Sequence, residues 1–256
     1  MTPDATSQTE SKNYDGHPTA DGPLPEFVDW ILGVLIALGG FLSVIGGSAL
    51  VFLVDRETLA EGIEEGTITV TIFTAELTED EMLEVVAAVV SWTGVGLLVT
   101  GIATILFAAG YVVIRHRQRR QGSKGDPIPS YGANVVLGAV AAGVFSFIPF
   151  SPGIGGALAG YLERADSDRS VSVGALSGLL AMLPILMILL FVLGGLIAGL
   201  RVIDQSGMAL LTGATMLFVL MVVATIGSGL GALGGYVGGR LAEQPRNTDR
   251  RPQPSE

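Results

Sequence analysis

The sequence predicts an all-α integral membrane protein with about six helices: four long transmembrane helices and a short or re-entrant helical hairpin. Hydrophobic residues make up 49% of the 256 residues, and the mean hydropathy is +0.58. Five stretches contain no charged side chain, and each exceeds the ~20 residues that a helix needs to cross ~30 Å of hydrocarbon. These stretches are residues 30–54, 85–114, 127–162, 170–200 and 205–239.

The first two stretches predict a transmembrane hairpin over residues 27–114. Residues 1–26 before it are polar and rich in Pro, Gly, Ser and Thr, which predicts a disordered tail. This tail lacks the cationic segment of a secretion signal. Between the two helices, the loop over residues 55–84 carries ten carboxylates and one arginine, so we expect an acidic, hydrated surface there.

Two local signals lie within this acidic loop. Residues 67–74 (TITVTIFT) alternate like a short strand. Thr78, followed three residues later by Glu81, has the pattern of a capping box that opens the second helix.

The distribution of basic residues predicts the orientation in the membrane. Residues 115–131 form a basic linker directly after the second stretch, and the positive-inside rule places such a linker in the cytoplasm. The acidic loop is then outside and the N-terminal tail inside. The C-terminal tail, residues 240–256, is also polar and is expected to be disordered and cytoplasmic. The prediction is therefore a multi-pass protein of the cell membrane with both termini in the cytoplasm.

The third stretch is interrupted by a predicted hairpin turn at Pro149, Pro152 and Gly153. Proline ends a helix because it lacks an N–H and clashes with the preceding turn. A single crossing would leave seven of the 14 basic residues inside, whereas a hairpin over residues 132–162 leaves twelve inside, which favours the hairpin. Its arms are short, so it is either re-entrant or a pair of short, tilted spans. We expect its turn to be buried against the last two helices or to lie at the outer interface.

Residues 132–239 are predicted to form a glycine-rich helical-hairpin domain, whose long hairpin covers residues 171–239. Glycines four residues apart lie on one helix face and let another backbone approach closely. The predicted helix-packing residues are Gly156, Gly160, Gly174, Gly178, Gly195, Gly199, Gly227, Gly231, Gly235 and Gly239. We interpret them as packing within the chain. The alternative is an interface between copies in a homo-oligomer.

The side chains that catalysis or metal binding needs are missing from the hydrophobic stretches. The chain has no cysteine, and neither His17 nor His116 has a second metal ligand at a suitable spacing. No stretch has Asp, Glu, Lys, Arg or His in its interior, where proton relays and ion-coupled transporters place such groups. Asp29 and Glu84 lie at the edges of stretches and are expected to mark interfaces. We therefore expect no enzyme, no catalytic residue, no metal and no cofactor, and the net charge of −10 argues against nucleic-acid binding.

Several segments carry a resemblance to a known group of proteins. Residues 147–153 (FIPFSPG) are followed by residues 156–163 (GALAGYLE), and residues 166–169 (DSDR) precede residues 173–178 (VGALSG). Together with the acidic, lysine-poor loops, these segments resemble uncharacterised multi-pass membrane proteins of haloarchaea, best over residues 130–200. Such families have domain-of-unknown-function labels, so the resemblance implies a halophilic membrane protein and no functional residues.

Two functional hypotheses follow from the sequence. The first is a non-enzymatic packing or assembly module, with the lipid bilayer and a homo-oligomer as its partners. The alternative is a permease or channel for a neutral or weakly polar solute, lined by the hairpin turn and by polar side chains. Those side chains are Asn134, Ser146, Ser151, Ser177, Thr212, Thr215 and Thr225. We expect most of them to bond the backbone or a neighbouring helix instead.

Overall fold

The computed structural model describes residues 26–69, 77–122, 131–163 and 167–243, and its secondary structure there is α-helical, without strands. The all-α prediction is confirmed. Four of these helices are long and apolar enough, by length and composition, to cross a membrane. The helices are α1 (Glu26–Phe52), α2 (Arg56–Glu64), α3 (Glu79–Gly122), α4 (Tyr131–Val144), α5 (Ser151–Glu163), α6 (Ser167–Val202) and α7 (Ser206–Glu243).

Parts of the sequence predictions fall outside the described residues. These are the predictions for most of the N-terminal tail, for residues 123–130 of the basic linker and for the C-terminal tail from residue 244 onward. Most of the expected strand over residues 67–74 also lies outside them, and the part that is described, residues 67–69, contains no strand.

The long helices pack side by side in the order α1, α3, α6, α7, and each runs antiparallel to the next. The α1–α3 pairing is set by Gly40 against Gly101 and by Gly47 against Gly94. The short helices α4 and α5 form an antiparallel hairpin, and α5 packs parallel to α7. The bundle thus has two distinct ends.

We define these ends by their charged residues. The basic end holds the starts of α1, α4 and α6 and the ends of α3, α5 and α7, with Arg115, Arg169 and Arg240. The acidic end holds α2 and the turn between α6 and α7. Helix α5 ends and α6 begins at the basic end, and the α6–α7 turn lies at the acidic end, whereas the α4–α5 turn does not reach the acidic end.

The acidic loop contains a helix, α2, that the sequence analysis did not predict. Asp55 is its N-cap and accepts hydrogen bonds from the backbone N–H and the hydroxyl of Thr58, at 2.9 and 2.7 Å. These bonds lower the pKa of Asp55 because they stabilise its charged form. Leu59 and Ile63 are buried on one face of α2. An N-cap residue followed by apolar residues four apart was a readable signal for this helix.

The predicted capping box at the start of α3 is confirmed. The backbone N–H of Thr78 donates to Glu81 Oε2 at 2.9 Å, and the backbone N–H of Glu81 donates to Thr78 Oγ1 at 3.4 Å. Glu84, one turn further, forms an ion pair with Arg56 of α2. These contacts attach α2 to the start of α3.

The turn between α4 and α5 occupies residues 145–150, slightly earlier than the sequence indicated. Pro152 and Gly153 belong to the first turn of α5, where proline is accepted because the first N–H groups of a helix have no partner within it. Phe150 has a left-handed backbone conformation (φ 67°) that reverses the chain. Ser151 and Pro152 are buried, but residues 143–150 are exposed. The expectation of a buried turn is therefore met only from Ser151 onward.

Candidate functional site

Among the described residues, several very close backbone contacts lie where α7 crosses α5 and α6. Gly231 of α7 is flanked by Gly156 of α5 and Gly174 of α6, and a Cβ added at either neighbour would lie less than 3.0 Å from the carbonyl oxygen of Gly231. One turn further along α7, Gly235 has the same relation to Gly160 of α5. No side chain larger than hydrogen fits at these positions without moving a backbone.

Eight of the ten predicted packing glycines meet at this crossing, which we call the glycine junction. Gly195 and Gly199 lie elsewhere, where α6 packs on α3, and a Cβ added there would lie 2.8 Å from the Cα of Val89 or Val85. The residues of the glycine junction are Gly156, Gly160, Gly174, Gly178, Gly227, Gly231, Gly235 and Gly239.

Most contacts of the glycine junction join backbone to backbone, whereas Gly227 lies against the side chain of Met182 and Gly239 against that of Ser170. In glycine, a hydrogen atom on Cα points where other residues carry Cβ, so each close approach to a backbone carbonyl aims a Cα–H group at its oxygen. The relation between Gly174 and Gly231 is reciprocal, since a Cβ on either would approach the carbonyl oxygen of the other. Contacts of this kind contribute roughly 0.5–1 kcal/mol each. The junction can therefore hold three helices together, and it offers no side chain for chemistry.

A similar glycine contact, not predicted from the sequence, joins α1 and α3. Gly40 and Gly101 are reciprocal partners, and Gly47 lies against the carbonyl oxygen of Gly94. The two glycines of each helix are seven residues apart, a spacing that keeps them on one face of a helix paired with a neighbour. That spacing was visible in the sequence.

A buried ion pair lies between α1 and α3 at the basic end. Arg115 Nε lies 3.3 Å from Asp29 Oδ1, and the Tyr111 hydroxyl donates to the same oxygen at 3.0 Å. Each charged side chain is only 5% exposed. From the sequence, Asp29 was expected at an interface and Arg115 in a linker, but α3 continues to Gly122 and carries Arg115 against α1. The pairing of opposite charges at the adjoining ends of a predicted hairpin was the signal for it.

A second polar cluster joins α4, α5 and α6 at the same end. Asn134 donates to Glu163 Oε2 at 2.9 Å, and Arg169 Nε lies 3.7 Å from Glu163 Oε1. The Glu163 side chain is buried, while Arg169 is exposed and lies over the ring of Tyr131. The hydroxyls of Tyr131 and Ser172 are 3.1 Å apart. These contacts fix the open end of the α4–α5 hairpin.

The structure does not bring the seven candidate path-lining residues together. Asn134 belongs to the polar cluster, and Ser146 is exposed in the turn. Thr215 and Thr225 are exposed on α7 and donate to backbone carbonyls of their own helix at 2.9 and 2.8 Å, as expected. The other three are buried on three different helices: Ser151, Ser177 and Thr212. Within the described part of the chain, Ser177 Oγ and Thr212 Oγ1 have no hydrogen-bond partner.

Among the described residues, no group of three or more His, Cys, Asp or Glu side chains could hold a metal ion.

Comparison with known proteins bears on one part of the chain. Residues 132–241 match the model of a family of unknown function, DUF5518. The DUF5518 match contains the glycine junction and the Glu163 cluster but excludes α1, α2 and α3. It agrees with the resemblance to an uncharacterised family. No curated protein and no solved structure matches the chain.

Proposed function

We propose that this is a non-enzymatic, multi-pass protein of the cell membrane that acts as a packing and assembly module, and that copies associate through the turn at residues 145–150. The four long apolar helices support the membrane location. Large hydrophobic side chains are exposed along all four. In water such a continuous apolar surface would cause aggregation, whereas lipid covers it without cost.

The depth of the α4–α5 turn carries the proposal. Helix α4 has 14 residues, which at about 1.5 Å per residue rise roughly 21 Å from the basic end. Charged Glu163 and Arg169 mark that end as the boundary with water. The turn therefore ends inside the ~30 Å of hydrocarbon. Phe147 and Phe150 at its tip are 77% and 71% exposed. Non-helical backbone at such a depth is found only where other protein or enclosed water covers it.

The side chains of the turn favour protein over water as the cover. Phe145, Phe147, Ile148 and Phe150 are apolar and exposed, and Ser146 is the polar side chain among them. A water-filled path would be lined by polar groups. A second copy of the chain is the partner we propose, because a two-fold interface presents the same apolar turn from both sides.

The glycine junction is not the surface that joins the copies. Gly231 and Gly235, which the sequence analysis considered for a dimer interface, are covered by α5 and α6 of the same chain. Packing and assembly are thus assigned to different surfaces: the glycines hold one chain together, and the turn joins copies.

Disulfide cross-linking in membranes tests the assembly. The chain has no cysteine, so Ser146→Cys introduces a single thiol in the exposed turn. We expect oxidation to give a covalent dimer. Leu38→Cys is the control, because Leu38 is exposed on α1, well away from both helix ends. A dimer yield at Ser146→Cys no higher than at Leu38→Cys would count against association through the turn.

Labelling from outside the cell tests the membrane location and orientation. Gln205→Cys lies at the acidic end and should react with an impermeant thiol reagent, whereas Asp168→Cys at the basic end should react only after the membrane is opened. Release of the protein by alkaline carbonate without detergent would disprove the membrane location. Reaction of Asp168→Cys from outside would disprove the proposed orientation.

A permease or channel is the alternative function, and the exposed turn is the observation that keeps it open. If the turn lined a water-filled path, proteoliposomes would take up a small neutral solute. The bulky change Ser151→Trp at the buried start of α5 would then block uptake. Uptake equal to that of empty liposomes leaves assembly as the function.

A further inference from the structure

An apolar groove runs along α3 on the side where α4 begins. It is open along one side, and its volume is about 310 Å³. Phe107 and Ile114 of α3 and Val136 of α4 line it, and Gln118 lies at its end near the basic end of the bundle. From Phe107 to Gln118 the helix rises roughly 16 Å. The groove is therefore long, narrow and parallel to the helix axis.

Two glycines keep this groove open. Among the described residues, a Cβ added at Gly110 of α3 or at Gly132 of α4 would meet nothing within 4 Å. Both residues line the groove. In the glycine junction, packing against a neighbouring backbone explains the glycines. At Gly110 and Gly132, no described neighbour lies close enough to require glycine. A larger side chain at either position would occupy the groove.

Next to Gln118 at the end of the groove, the cationic side chain of Arg117 is exposed on α3. Arg115 also lies in the wall of the groove, but its charge is paired with Asp29. The groove thus passes from an apolar floor to cationic and amide groups over a few helical turns. An anionic lipid matches this arrangement, because its acyl chain fits the apolar floor and its headgroup fits the cationic end.

We propose that this groove binds one acyl chain of an anionic membrane lipid, with the lipid headgroup beside Gln118 and Arg117. The binding site rests on the membrane location proposed above. The acyl chain gains contact with Phe107, Ile114 and Val136, which form the apolar floor. The headgroup gains charge attraction, which favours an anionic over a zwitterionic lipid by about fivefold for each nearby cationic side chain.

Native mass spectrometry of the full chain in detergent tests this site. The probes are phosphatidylglycerol and phosphatidylcholine of equal acyl length, added at equal concentration. We expect one phosphatidylglycerol per chain to be retained in preference to phosphatidylcholine. Gly110→Leu and Gly132→Leu should each abolish that retention because leucine fills the groove. Arg117→Gln should reduce the preference about fivefold and leave acyl binding intact.

Gly229→Leu is the matched control. Gly229 is an exposed helical glycine with nothing within 4 Å of an added Cβ, but it lies on α7, away from the groove. It should retain phosphatidylglycerol like the unaltered chain. Equal retention of the two lipids, or full retention in Gly110→Leu, would overturn the proposal. Because the labelling and extraction experiments above use no added lipid, they judge the membrane location separately.

Discussion

Replacing Gly231 with alanine tests the glycine junction most directly. The added methyl group would lie less than 3.0 Å from the carbonyl oxygen of Gly174, and 3.0 Å from the Cα and nitrogen of Gly178. These atoms belong to the backbone of α6, so no side-chain rotation makes room. Helix α7 must move away from α6, and because Gly156 lies on its other side, α5 must move too.

The expected cost follows from three contributions. Overpacking of a close-packed interior typically costs about 1–3 kcal/mol. Separating the helices weakens the Cα–H···O contacts of Gly156 and Gly174 with Gly231, at roughly 0.5–1 kcal/mol each. Alanine is intrinsically better than glycine in a helix by about 1 kcal/mol, which acts in the opposite direction. We expect Gly231→Ala to lower the free energy of unfolding by roughly 2–3 kcal/mol.

Two glycines of the same helix serve as controls. Gly229→Ala meets nothing within 4 Å and should be neutral or more stable by up to about 1 kcal/mol. Gly227→Ala meets Met182 Cγ at 2.7 Å, and because that side chain is flexible, its cost should fall between the other two. Unfolding by sodium dodecyl sulfate in mixed micelles, followed by far-UV circular dichroism, measures all three. Stabilities of Gly231→Ala and Gly229→Ala within about 0.5 kcal/mol would refute the reasoning.

Three further predictions concern polar residues. Asp29→Ala should lower the free energy of unfolding by about 3 kcal/mol because the buried Arg115 loses its carboxylate partner. The double variant Asp29→Ala with Arg115→Met should recover most of that stability. Equal losses of stability in the single and double variants would contradict the prediction. Ser177→Ala should raise stability by about 1 kcal/mol in the same assay, because it removes a buried hydroxyl that has no hydrogen-bond partner in the described part of the chain; a loss would show an unseen partner. Since the pKa of Asp55 is lowered in the folded chain, its capping of α2 should persist above its ordinary pKa and disappear as the pH falls through the lowered value. Thr58→Val removes only the hydroxyl bond and keeps the backbone N–H bond, so it should raise that pKa part of the way, measured by carboxyl carbon NMR. An unchanged titration would show that the hydroxyl does not contribute to the lowered pKa.

The sequence predicts the long helices well because membrane-like helices need continuous apolar surface. The uncharged stretches correspond to α1, α3, α6 and α7, and the prolines near residue 150 mark the break between α4 and α5. Helix α2 was missed because it is short and half polar, so it lacks that signal. The sequence placed the turn too far along the chain because a proline can either end one helix or begin the next. Pro152 lies in the first turn of α5, so it begins a helix.

The site was predictable only in part. Spacing identified the glycine faces, but glycine has no side chain that specifies a partner, so the meeting of Gly156 and Gly174 at Gly231 had to come from the structure. The Asp29–Arg115 pair joins residues 86 positions apart, and only the α1–α3 packing brings them together. The groove beside Gly110 depends on the absence of a neighbour, which no local pattern records.

The short reach of α4 and α5 gives the molecule a tapered outline. Six helices cross the half of the bundle near the basic end, whereas four continue into the other half. With helices about 10 Å wide, the difference in cross-section is on the order of 150 Å². In the proposed membrane location, a protein of this shape would displace more lipid from one leaflet than from the other, so crowded copies would bend the bilayer, with the leaflet at the basic end on the convex side. Enrichment of the protein in small vesicles over large ones, with that leaflet outermost, is the measurable sign of such curvature.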